Sequence, residues 1–176
     1  MTGYDVYLLS PEISLVGLGL LVMLLDLFVS RKTILPLLVV AGLALPVALS
    51  VLLWNEVHSE VNGELVGLFG ALTVDKFSLF FKFLILSVVG LVTLASTDYM
   101  RQLHKLQGEF FGLILFSATG MMLLAATTEL VSIYISLELT TLPLIALVAF
   151  LMTPRSSEAG LKFLILGGIS SALLLY

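Results

Sequence analysis

The chain has 176 residues, of which 60% are hydrophobic and only 11% charged, with no cysteine and a formal net charge of −4 at pH 7. That composition excludes a soluble domain and reads as an integral membrane protein. The missing cysteine excludes disulfides, thiolate-held iron–sulfur clusters and cysteine-ligated zinc, and the net charge decides little, because the distribution of charge among loops matters more than its sum.

The chain opens M-T-G-Y-D-V-Y-L-L-S-P-E, without a basic n-region, so the first apolar run reads as a retained transmembrane helix and not a cleaved signal. A bilayer core about 30 Å thick needs about 20 helical residues. Six segments supply them, at 13–29, 34–54, 77–96, 110–126, 130–152 and 159–176. Backbone groups in lipid must be satisfied internally, and no stretch shows the alternation of a barrel strand, so the fold class is all-α: a polytopic helical bundle of six spans. Basic residues fall in every second loop: Arg31 and Lys32, then Arg101 and Lys105, then Arg155. The positive-inside rule then makes the first, third and fifth connections cytoplasmic and the N-terminus external, with Lys76 as the exception. The outer segment 55–75 is too short and polar to span, and its Asn62-Gly63 turn suits a small hairpin.

Four ionisable residues lie inside the spans, where a charge near a helix centre costs about 2.5 to 3.5 kcal/mol on translocon scales and so calls for a function. Asp26 is one turn from the cytoplasmic end of span 1, within reach of interfacial water or of Arg31 and Lys32, and snorkelling accounts for it. Lys82, in the outer third of span 3, forms with Asp75 and Ser78 a polar stripe leading to the outer surface, explained equally by snorkelling or pairing.

Glu138, in I-S-L-E-L-T-T-L-P-L-I-A-L, lies too deep to snorkel. Tyr134, Glu138 and Thr141 fall at i, i+4 and i+7 and share one face. Pro143 cannot donate to the Leu139 carbonyl, and the hydroxyls of Thr140 and Thr141 can help hold water beside the carboxylate. Burial and a nearby cation shift a carboxylate in opposite directions, which is the tuning a proton relay requires. The bland alternative is a kinked helix with a neutral Glu donating to a neighbour. Lys162 on span 6 is expected about 8 Å from Glu138 along the bundle axis, bridgeable by its stem and one or two waters, or else paired at i, i+4 with Glu158. Gly167 with Ser171 and Gly168 with Ala172 are small-xxx-small pairs that admit a neighbouring helix. His58 and His104 lack metal spacing, Met121 and Met122 read as packing, and G-L-G-L-L-V at 17–22 lacks the third glycine of a dinucleotide loop. No metal, nucleotide or haem site is legible.

With Glu138 in S-L-E-L-T-T-L-P-L-I-A-L-V-A-F and Lys162 in S-S-E-A-G-L-K-F-L-I-L-G-G-I-S-S-A-L-L-L-Y, the chain resembles the subunit N type of antiporter-like membrane subunit in respiratory complex I. The likeness extends through L-L-S-P-E-I and G-M-M-L-L-A-A-T-T-E-L. It implies the N-terminal part of a module of about 14 helices, with three leading helices ahead of two inverted five-helix repeats. On that reading residues 1–108 are the leading helices with outer loop 55–75, and 109–176 begin the first repeat. The resemblance implies proton transfer through Glu138 and Lys162; the reading of the spans above adds Tyr134, Thr141, Pro143, Lys82 and Asp26 as candidate accessories. It implies no catalytic or cofactor site in this chain, neighbouring complex I membrane subunits and lipid as partners, quinone only indirectly, no nucleic acid, and a bacterial inner membrane. The broken-helix lysine of the first repeat has no counterpart before Tyr176, so the chain is expected to be a fragment unable to move protons alone. A multisubunit sodium/proton antiporter subunit and a non-conducting structural subunit are the alternatives.

Overall fold

A computed structural model of the chain describes residues 3–28, 34–60, 63–103 and 106–176. Asn62, Arg31, Lys32, His104 and Lys105 lie outside the described residues. The elements are α1 (Gly3–Leu8), α2 (Ser10–Phe28), α3 (Leu35–Gly42), α4 (Ala44–Ser59), β1 (Glu64–Gly67), β2 (Leu72–Asp75), α5 (Lys76–Leu103), α6 (Gln107–Leu124), α7 (Leu130–Val148) and α8 (Pro154–Leu175). Among the described residues, six helical stretches are long and apolar enough to cross a bilayer, with α3 and α4 together forming the second. The expected all-α membrane bundle is borne out.

Boundaries move where local chemistry decides them. Ser10-Pro11 starts α2 three residues ahead of the expected point, because proline at a first turn lacks only a donor that would be orphaned anyway. Glu12 is thereby drawn inside the helix. The second span bends at Leu43, just ahead of Pro46, and continues to Ser59. Span 5, expected to reach Met152, ends at Val148. Ala149 to Met152 form a turn in which Met152 takes φ +49°, and Thr153 is extended before Pro154, as a residue preceding proline prefers.

The hairpin is present, with its reversal after Gly67 and beyond the expected Asn62-Gly63 position. β1 and β2 pair antiparallel from Glu64 with Asp75 to Gly67 with Leu72, and the chain reverses through Leu68 to Ala71. Tertiary contacts fix this reversal. Asp5 Oδ1 accepts the Leu68 N–H at 2.9 Å, Thr128 donates its hydroxyl to Gly70 O at 2.6 Å, and the Thr73 N–H reaches Ala126 O at 2.8 Å. Leu65, Leu72 and Val74 face inward on the period of two and pack with Leu8, Leu53, Val57, Leu79 and Ala126 into an apolar plug at this end of the bundle.

A second, larger core joins α2, α3, α5 and α6 through Leu15, Val22, Val39, Leu86, Phe111 and Leu115. Lipid tails are as apolar as these side chains, so close packing, not water exclusion, holds the helices together. Gly112 lets α6 approach α2: a methyl there would stand 2.6 Å from Met23.

Candidate functional site

Glu138 lies about 12 Å along α7 from Leu130, half-buried in the bundle. Its Oε1 accepts the hydroxyl proton of Ser171 on α8 at 2.5 Å. Tyr134 and Thr141 are half-buried and Pro143 is buried. A hydrogen bond to a charged group contributes about 1.5 to 3 kcal/mol, enough to offset a large part of the cost of holding a carboxylate in the membrane.

The backbone around Pro143 is supported from within and from α6. Thr141 donates to Leu137 O at 3.0 Å, Thr140 to Ser136 O at 2.9 Å, and Ser136 to Ser132 O at 2.8 Å. The two threonine hydroxyls expected to hold water are therefore engaged with carbonyls of the preceding turn, the usual fate of a hydroxyl in a dry helix. Ser117 of α6 donates to Thr140 O at 3.1 Å. Gly120 admits this approach, since a methyl on it would meet Thr140 N and Oγ1 at 2.5 Å.

Helix periodicity settles which face of α8 meets α7. Gly160 packs on Ala149, Gly167 faces Ile145, and Ser171 reaches Glu138. Spacings of seven and four keep these three residues on one seam. The pair Gly167 and Ser171 thus admits α7, whereas a methyl on Gly168 would meet nothing within 4 Å. Nine residues separate Lys162 from Ser171, which is half a turn away in azimuth and about 13.5 Å along the axis. The expected 8 Å offset from Glu138 is corrected accordingly. Lys162 binds Glu158 at 2.6 Å, with the two side chains 70% and 63% exposed on the face turned away from α7.

Lys82 does not snorkel. Its side chain is 0% exposed, and Nζ lies 2.7 Å from Oε1 of Glu12 on α2, itself 3% exposed. The outward polar stripe resolves into two separate devices. Asp75 Oδ1 accepts the Ser78 N–H at 2.8 Å while the Asp75 N–H donates to Ser78 Oγ at 2.9 Å, a reciprocal cap on α5. Asp26 is half-buried against Gly108, at the first turn of α6, where a carboxylate is favoured by the unpaired N–H groups. Glu12 and Ser171 are the polar partners that sequence reasoning missed. Ser10-Pro11 pointed to the first, and the seven- and four-residue spacing of Gly160, Gly167 and Ser171 pointed to the second. Among the described residues no cluster of His, Asp and Glu is arranged to hold a metal ion.

A family model described as NADH:quinone oxidoreductase/Mrp antiporter, TM, matches residues 127–176. Over 96% of its length the chain is 38% identical to NADH-quinone oxidoreductase subunit N of Dehalococcoides mccartyi, covering 34% of that protein. Over its full length it is 37% identical to subunit N of Desulfitobacterium hafniense, covering 35%. Its fold matches a chain of respiratory complex I from Thermus thermophilus with bound Aureothin, at TM-score 0.72 and 28% identity, over 94% of this chain and 35% of that one. A chain of the membrane-bound sulfane sulfur reductase, an archaeal respiratory membrane complex, shares the fold, with TM-score 0.63 at 19% identity over 92% of this chain and 35% of that one. The chain spans about a third of the length of the curated relatives it matches. Six membrane spans and bacterial relatives make it a multi-pass bacterial membrane protein.

Proposed function

We infer that this chain, which belongs by sequence and fold to the family of complex I subunit N, serves in the proton-translocating membrane arm of a complex I-type NADH:quinone oxidoreductase. The observation that carries this reading is Glu138: a carboxylate in mid-helix α7, beyond the reach of a snorkel, held by Ser171 of the next helix. A carboxylate in that position can take a proton from one side and yield it to the other, while its hydroxyl partner keeps it oriented in both states. Tyr134, Thr141 and Pro143 shape the flank on which it sits.

Lys162 exchanges protons with a group outside these helices, because α8 presents it away from α7 beside Glu158. Residues 109–176 begin the first five-helix repeat, 1–108 are the leading helices, and neighbouring membrane subunits and lipid are the partners. The chain holds no cofactor of its own and meets quinone only through the rest of the enzyme. Its N-terminus faces outward from the inner membrane, with the hairpin on the same side. A multisubunit sodium/proton antiporter subunit is the second reading, favoured by the joint description of the family model. Purification of the full-length protein from its native membrane separates the two. Co-purifying flavin and iron–sulfur subunits are expected; small hydrophobic antiporter subunits in their place would contradict the assignment.

A further inference from the structure

Glu12 and Lys82 stand apart from the contact between Glu138 and Ser171, which joins α7 to α8. They join the first and third spans in a fully enclosed contact, Nζ to Oε1 at 2.7 Å. Among the described residues both groups leave hydrogen-bonding capacity unmet: Glu12 Oε2 meets no donor, and Lys82, with three N–H groups, meets no well-aligned acceptor. The charged neighbours at this end of the bundle are engaged or exposed. Asp5 accepts the Leu68 N–H, Glu56 accepts the Tyr7 hydroxyl, Asp75 caps α5, and His58, Glu60, Glu64 and Lys76 are exposed. At its other end α2 carries Asp26, seated on Gly108. The plug around Leu8 and Leu79 seals the hairpin end of the bundle.

An enclosed ion pair forgoes hydration on both groups, and the short Nζ to Oε1 contact sets a path along which one proton can pass. The Nζ–H bond breaks, the proton passes to Oε1, and the new O–H donates to the amine lone pair. A second proton arriving at that lone pair gives an ammonium beside a carboxylic acid, and its release restores the previous state. Atoms and charge balance with one proton in and one out, and no electrons move.

We propose that Glu12 and Lys82 form a second intramembrane proton-binding site, near the hairpin end of the bundle and separate from Glu138. Its use in pumping rests on the translocase reading above, whereas proton binding is a property of the pair itself. Two measurements on the full-length subunit in its assembled complex test it. Infrared difference spectroscopy with isotopically labelled glutamate carboxyls should give a protonated C=O band that is lost in Glu12→Asp, which keeps the charge and removes the labelled group. Proton flux per electron in lipid vesicles should fall in the double variant Glu12→Gln with Lys82→Met, which removes both charges at similar size and so assembles where a single change strands one buried charge. Glu138→Gln is run alongside. A Glu12 band with reduced flux in the double variant supports the site. No such band, with wild-type flux in the double variant and impaired flux in Glu138→Gln, overturns this site alone. If Glu138→Gln also pumps at the wild-type level, the translocase reading fails, and the band alone upholds or overturns proton binding at the pair. A double variant that does not assemble likewise leaves the decision to the band, read in wild-type protein against Glu12→Asp.

Discussion

Replacing Gly120 with alanine tests the contact that positions the Glu138 helix. The added methyl would lie 2.5 Å from both Thr140 N and Thr140 Oγ1 and 2.8 Å from Leu139 C. Ordinary contacts to a methyl begin near 3.5 Å, so α7 must move by about 1 Å, and two of the three obstructing atoms are backbone and cannot rotate aside. Overpacking of this kind costs about 1 to 3 kcal/mol, partly offset by the roughly 1 kcal/mol that alanine gains over glycine in a helix. At Gly17 and Gly168, where a methyl meets nothing within 4 Å of this chain, only the helical gain remains. Thermal denaturation of the purified full-length protein in lipid nanodiscs should therefore rank Gly120→Ala below wild type and Gly17→Ala at or above it. Strain at Gly120 also displaces Glu138 relative to Ser171, so proton flux should fall even where folded protein is recovered. Equal stability for Gly120→Ala and Gly17→Ala would refute the close approach of α6 and α7.

Ser171→Ala should reduce proton flux while leaving assembly intact, because it removes the hydroxyl that holds Glu138 and leaves the small seam against α7 unchanged; a flux equal to wild type would separate that hydrogen bond from function. Lys82→Met alone strands Glu12 in an apolar interior and should cost about 3 to 5 kcal/mol of stability, while adding Glu12→Gln should recover most of it, which denaturation of the two variants would show. Burial, reinforced by the hydrogen bond to Glu56 and its charge, raises the Tyr7 phenol above its ordinary value. The neutral phenol is the favoured form, so this contribution is fully present below the ordinary tyrosine range and is lost as pH climbs through the raised value; tyrosinate absorbance should shift to lower pH in Glu56→Gln. Cysteines placed at Ser59 and Thr128 should react with an impermeant outside reagent in intact cells and one at Glu109 should not, and the reverse pattern would invert the topology.

The spans were legible in the sequence because lipid permits little besides a helix, and hydropathy over about 20 residues reports that directly. Glu138 was legible for the same reason, since depth alone marks a carboxylate as exceptional. What escaped depended on contacts between helices. Lys82 read as snorkelling or paired, but its partner was hidden, since Glu12 fell just outside the expected first span and only the start of α2 at Ser10 brought the two together. The hairpin was legible, but the place of its reversal was not, because Asp5 and Thr128, distant in sequence, hold Leu68 and Gly70. The axial offset between Lys162 and Glu138 was misjudged because α7 yields to a turn at Ala149, which shifts the register of α8. The facing of Lys162, by contrast, follows from the sequence once Ser171 is known to meet α7, since nine residues make half a turn.

Glu138→Gln in the assembled complex, reconstituted in vesicles with a pH-sensitive dye, addresses the proton-carrying role most directly. The amide keeps the size of the side chain and can still accept from Ser171, but it cannot titrate. The expected result is normal assembly and a loss of protons moved per electron; an unchanged ratio would contradict the assignment of Glu138 as a proton carrier.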